Sequence, residues 1–143
     1  MRDDITDLYY SQEPICEDGR VFLTERMLSI PESHKKGVCS RDGVVYFMYS
    51  RNGEIVRWKA RSMTDKKVQF MSKLPDEDAK IFKMPFFSHF KAPSCPYLII
   101  TEGEFDSIAL SQLGAFNVVS LPNGSGSVET TFRNNYDFLQ QFE

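Results

Sequence analysis

The feature that most constrains this chain is a short apolar run that ends in charge. Tyr97-Leu98-Ile99-Ile100-Thr101 shows no polar alternation, as expected of a strand buried on both faces in a parallel sheet. Glu102-Gly103-Glu104 follows at once. Phe105, Ile108, Ala109 and Leu113 then recur at helical spacing, and Gly114 stands where a left-handed residue ends a helix. Asn117-Val118-Val119-Ser120 reads as a second strand, Leu121 to Ser127 as a polar loop, and Val128 to Gln141 as a second helix. The order β-α-β-α predicts a parallel crossover unit.

That topology says where chemistry belongs. In open α/β sheets, ligands bind beyond the carboxyl ends of the strands. Glu102 leaves the first strand at that edge, and the loop carrying Asn123 and Gly124 leaves the second beside it. A glutamate at a strand terminus with glycine next to it can meet a phosphate or a metal without a bulky neighbour in the way. Glu104 and Asp106 stand under two readings. They add negative charge to that site, or they are first-turn residues favoured by the helix dipole, and the second is preferred.

Upstream the periodicity changes. Residues 1–36 predict a helical segment of two small helices, with Leu23, Met27 and Leu28 at helical spacing and Ser29-Ile30-Pro31-Glu32 as a cap with proline in the first turn. Residues 37–96 predict an antiparallel β lobe. Val44 to Tyr49 is β-branched and aromatic, and Asn52-Gly53 before Glu54 to Ser62 is a strong hairpin signal. Val68 to Met71 resembles a third strand, and Pro85 to Pro96 a loop anchored by Phe86, Phe87 and Phe90. Alternation along 54–62 puts Val56, Trp58 and Ala60 on one face, and Arg57, Lys59 and Arg61 with Ile55 on the other. Cations spaced by roughly 6.6–6.8 Å, with Lys66 and Lys67 in the following turn, suit a phosphate backbone; an ordinary exposed strand face is the alternative.

Charge is distributed accordingly. The net charge is −3, yet residues 35–91 hold 13 of the 17 Lys and Arg but only 6 of the 20 Asp and Glu, a local balance of +7 against −10 elsewhere. A basic middle with acidic flanks suits a polyanion groove beside a carboxylate site that could take divalent metal; uneven surface charge is the bland alternative. Cys16, Cys39 and Cys95 form no C-x-x-C pair, and His34 and His89 do not complete one, so neither a zinc site nor a disulfide framework is expected. No apolar run reaches membrane-spanning length, and Met1-Arg2-Asp3-Asp4 is too polar for a signal peptide, so a soluble, intracellular protein without a membrane partner is expected.

Ile99 to Ser107, read Ile-Ile-Thr-Glu-Gly-Glu-Phe-Asp-Ser, resembles the first motif of TOPRIM domains, and Asn117 to Gly124 is similar to their second strand and loop. Leu23-Thr24-Glu25-Arg26, Asp42 to Tyr46, Asn52 to Val56, Lys59-Ala60-Arg61 and Asn135 to Leu139 occur in the order seen in phage-type, Twinkle-like primase-helicases. The similarity spans about residues 20–143, with the Glu-Gly motif its specific element. It implies an α/β fold in which a small N-terminal helical and β-hairpin lobe precedes a partial TOPRIM, Rossmann-like β-α-β-α unit over 97–143. It implies RNA primer synthesis on single-stranded DNA from nucleoside triphosphates. Glu102 would act as metal ligand or general base, and Arg57, Lys59, Arg61, Lys66 and Lys67 would contact template or nucleotide. Asn123 and Gly124 would form the phosphate-side loop. If the protein is phage-encoded, it would work in the bacterial cytoplasm.

The resemblance also sets two departures. Within these 143 residues there is neither a cysteine-rich zinc module before the lobe nor a strand ending in a metal-binding Asp-x-Asp pair after it; Asp76-Glu77-Asp78 has the spacing but precedes the Glu motif. A weak or incomplete Mg2+ site is therefore expected. Three readings follow: a split primase completed by a second polypeptide or a helicase, an inactive module that binds nucleic acid or a replication or host protein, and a TOPRIM nuclease fragment.

Overall fold

A computed structural model describes residues 3–143; Met1 and Arg2, part of the polar N-terminus, lie outside the described residues. Three helices open the chain: α1 (Asp4–Tyr9), α2 (Glu17–Glu25) and α3 (Ile30–Lys36). The Ser29 hydroxyl accepts from the Glu32 amide and proline stands in the first turn of α3, as the sequence predicts. One more helix forms than two were expected. Met27 does not extend the helical stripe: α2 ends before it, its φ is 58°, and its side chain is exposed.

Strands β1 (Val38–Arg41), β2 (Val44–Arg51), β3 (Glu54–Ser62) and β4 (Gln69–Met71) form an antiparallel meander in that order. Asn52-Gly53 turns the central hairpin with φ of 52° and 83°, and Asp42-Gly43 turns the preceding one with 52° and 72°. Both residues of each turn take positive φ, the geometry that matches the twist of paired strands.

One face of this sheet carries Cys39, Tyr46, Met48, Ile55 and Ala60 against Ile5 of α1; the other carries Val38, Val45, Phe47 and Tyr49 against α2, Phe87 and Ile108. Ile55 therefore lies with Trp58 and Ala60 rather than with Arg57. The cause is a register irregularity at Tyr49/Ser50, where the partners step from Arg57 to Ile55 and one residue is absorbed.

The expected crossover unit follows. Strand β5 (Ile99–Thr101) pairs in parallel with β6 (Val118–Ser120), joined by α5 (Glu104–Gln112). Gly114 closes α5 with φ 93°. Between the sheets runs α4 (Asp76–Ala79), so Asp76-Glu77-Asp78 is one helical turn rather than a loop. Phe86 and Phe87 are fully buried, and Phe87 exchanges two backbone hydrogen bonds with Ser120, stitching the connecting loop to the outer side of β6. The last expected helix is broken. A 3-10 turn (Gly124–Ser127) leads to α6 (Val128–Asn134) and then α7 (Tyr136–Leu139). Buried Asn135 interrupts it at φ −118°, its side-chain amide donating to the Met84 and Thr131 carbonyls.

Candidate active site

The carboxyl ends of β5 and β6 open onto a cavity of about 520 Å³ lined by Glu102, Asp106 and Asn123 on one side and Lys59, Arg61 and Gln69 on the other. Strand β5 ends at Thr101, so Glu102 emerges with its side chain exposed, and Gly103 follows in an extended conformation as the N-cap of α5. Gly103 offers no side chain to the first-turn amides, so the positive end of α5 lies beside the cavity uncapped. The loop after β6 comes within van der Waals reach of Glu102: a Cβ on Gly124 would stand 3.7 Å from its Cγ and Oε1. Space is not what restricts residue 124; its φ of 61° is.

A buried polar knot closes the cavity floor. Glu104 is 8% exposed and Lys59 likewise 8%. Their side chains form an ion pair through Glu104 Oε1, which also accepts from the Tyr49 hydroxyl at 2.5 Å. Lys59 Nζ donates in addition to the Pro122 carbonyl at 3.0 Å, tying β3 to the β6 loop. Burial and the Glu104 carboxylate push the Tyr49 phenol well above its ordinary pKa, so Tyr49 stays a donor.

These contacts correct two expectations. The face shared by Arg57, Lys59 and Arg61 exists, but it is turned toward the crossover unit and is not a solvated surface. Glu104 is a structural counter-ion as well as a first-turn residue. Alternation along a strand says which side chains share a face, not what covers it.

Of the predicted site residues, the structure brings Lys59, Arg61, Glu102, Asn123 and Gly124 to one cavity. Arg61 is half-buried, with its guanidinium 5.3 Å from the Phe105 ring centre. Burial, then the Arg26 charge, lower its pKa, and Glu104 opposes them. Arg57 lies in the neighbouring groove with Lys73 and Asp76, where its Nε donates to the Ser72 carbonyl at 2.9 Å. Lys66 and Lys67 stand exposed in the β3–β4 turn, outside the cavity lining. Tyr49 and Gln69 were not singled out by the sequence; Tyr49 sits inside an apolar strand run with nothing to mark its hydroxyl.

Among the described residues, no three His, Cys, Asp or Glu side chains converge where a metal could sit. Magnesium is often held by one or two carboxylates together with substrate phosphates. Exposed Glu102 and Asp106 line the same cavity and are the carboxylates that fit such chemistry there.

Over 117 residues, 79% of this chain, it is 29% identical to a protein of Arabidopsis thaliana named Primase homolog protein, covering 32% of that protein. It is 26% identical, over 117 residues and 79% of the chain, to the Arabidopsis Twinkle homolog protein, chloroplastic/mitochondrial, covering 15% of it. The chain is a relative of primase- and Twinkle-like proteins. It spans less than a third of the length of either relative. No protein-family model matches it. Among the described residues, no helix is long and apolar enough to cross a membrane.

Proposed function

We propose that the Glu102 cavity is the nucleotide-facing part of a TOPRIM-type primase that makes RNA primers on single-stranded DNA in phage-type replication. The observation that carries this reading is the meeting, at the carboxyl edge of a parallel sheet, of an exposed strand-end carboxylate with the Asn123-Gly124 loop and the Arg61 guanidinium. Glu102 serves as metal ligand or general base. Arg61 steadies the triphosphate, its charge strengthened by partial exclusion of water. Lys59 holds the Pro122 carbonyl and, through it, the loop facing Glu102. A magnesium ion bound with the nucleotide supplies charge neutralisation at the phosphates. Further carboxylates come from another segment or a second polypeptide, including one that carries helicase activity.

The test is primer synthesis from template, triphosphates and magnesium. The chain of residues 1–143 alone should make none, and adding a polypeptide that bears Asp-x-Asp should restore it. Glu102→Gln should then reduce synthesis by a factor on the order of a hundred or more, the scale of losing a group that acts in the transition state. Undiminished synthesis by Glu102→Gln would remove the catalytic assignment.

A second reading, a binding module without catalysis, draws on the cations Lys59 and Arg61 that line the cavity. It predicts nucleic-acid binding with no synthesis under any complementation.

A further inference from the structure

A second cavity, of about 380 Å³, lies beneath the β2–β3 turn and away from Glu102. Its walls carry Arg51, Lys83, Lys91 and Arg133, with Asp137 the acidic member of the lining. Arg133 is partly neutralised, since its Nη2 bonds Glu129 at 2.6 Å. Arg51 is positioned by donating to the Lys83 carbonyl at 2.5 Å, a contact that consumes no charge. Among the described residues, none of Arg51, Lys83 and Lys91 has an ion-pair partner. Cations gathered without counter-ions repel one another, so an arrangement of this kind is relieved by an anion.

The lining also says which kind of anion. Tyr136 is 60% exposed and lines the same cavity. Cations beside a free aromatic face are the chemistry by which proteins take single-stranded nucleic acid, phosphates on the charges and a base on the ring. No paired carboxylates flank the cations to hold a metal-bound triphosphate, in contrast to the Glu102 cavity. Asn134 lines this cavity and also the groove that holds Arg57, Lys73 and Asp76, so the two share a wall at that residue.

We propose that the cavity under the β2–β3 turn is a binding site for the phosphodiester backbone of a single nucleic-acid strand, with Tyr136 stacking a base. The inference stands apart from the catalytic reading of Glu102, since the two cavities share no lining residue and strand binding is read separately from primer synthesis.

The experiment is fluorescence anisotropy of a labelled oligodeoxythymidine titrated with the 143-residue chain across a salt series. Lys83→Ala combined with Lys91→Ala should weaken binding and shallow the slope of log affinity against log salt by about 1.4, two contacts at ~0.7 each for single strands. Tyr136→Leu should weaken binding roughly tenfold and leave the slope unchanged, because stacking releases no counter-ions. Both lysines are exposed, so the melting temperature should not move. An unchanged slope in the double lysine variant, or no binding by the parent at low salt, overturns the proposal. Unlabelled ATP, offered without magnesium, should not displace the oligonucleotide at equal phosphate concentration. If it does, the site takes free nucleotide, and the strand assignment fails.

Discussion

Two cavities flank the β2–β3 hairpin, and their charges are arranged in opposite ways. At the Glu102 end, Lys59 and Glu104 neutralise each other inside the protein, with Tyr49 and the Pro122 carbonyl completing the knot. At the turn end, Arg51, Lys83 and Lys91 have no such partner among the described residues. The same residue types thus do different work. A paired, buried cation fixes two elements relative to each other, whereas an unpaired one at a cavity wall is available to a ligand.

The largest effect should come from breaking the pair. Lys59→Ala leaves Glu104 buried without its counter-ion, and unfolding in denaturant should show a loss on the order of 3 kcal/mol. Lys83→Ala, at an exposed site, should change stability by no more than about 0.5 kcal/mol. The double change Lys59→Met with Glu104→Leu should recover much of the loss, since it removes the stranded charge. A double variant as unstable as Lys59→Ala would show that packing, not charge, dominates there, and the contrast between the cavities would collapse.

A smaller effect concerns metal. Without nucleotide, calorimetry should show magnesium binding weaker than about millimolar, as expected of few protein ligands. Micromolar affinity that disappears in Glu102→Gln, and not in Lys83→Ala, would mean the carboxylates of the first cavity already form a complete site.

The smallest is a pH effect at the second cavity. Burial, and then the Arg51 charge, lower the His89 pKa from its ordinary 6.5. The unfolded chain therefore takes up this proton at higher pH than the folded one, and protonation favours unfolding. Stability should fall as pH drops through 6.5 and below, and His89→Gln should flatten that part of the profile. An equally steep profile in the variant would assign the acid sensitivity elsewhere.

Much of the fold is legible where local chemistry dictates it. Asn52-Gly53 specifies its turn, Ser29 and Pro31 the start of α3, and the run Tyr97 to Thr101 a buried strand with Glu102 at its end. What was not legible depends on distant partners. Nothing in the hairpin says that the Lys59 face would be roofed by the crossover unit. Nothing around Glu104 separates a first-turn acid from a buried counter-ion fifty-five residues from Tyr49. Asn135 looks like a helix interior until the Met84 carbonyl supplies a partner for its amide.

The stitch between Phe87 and Ser120 has a further consequence, in the direction in which the parallel sheet can grow. That bridge occupies the outer rim of β6, so a strand arriving later is refused there. On β5, the Ile99 amide and the Thr101 carbonyl bond toward β6, which turns the backbone groups of Ile100 the opposite way. Any additional strand must dock against Ile100, and its own terminus then arrives beside Glu102.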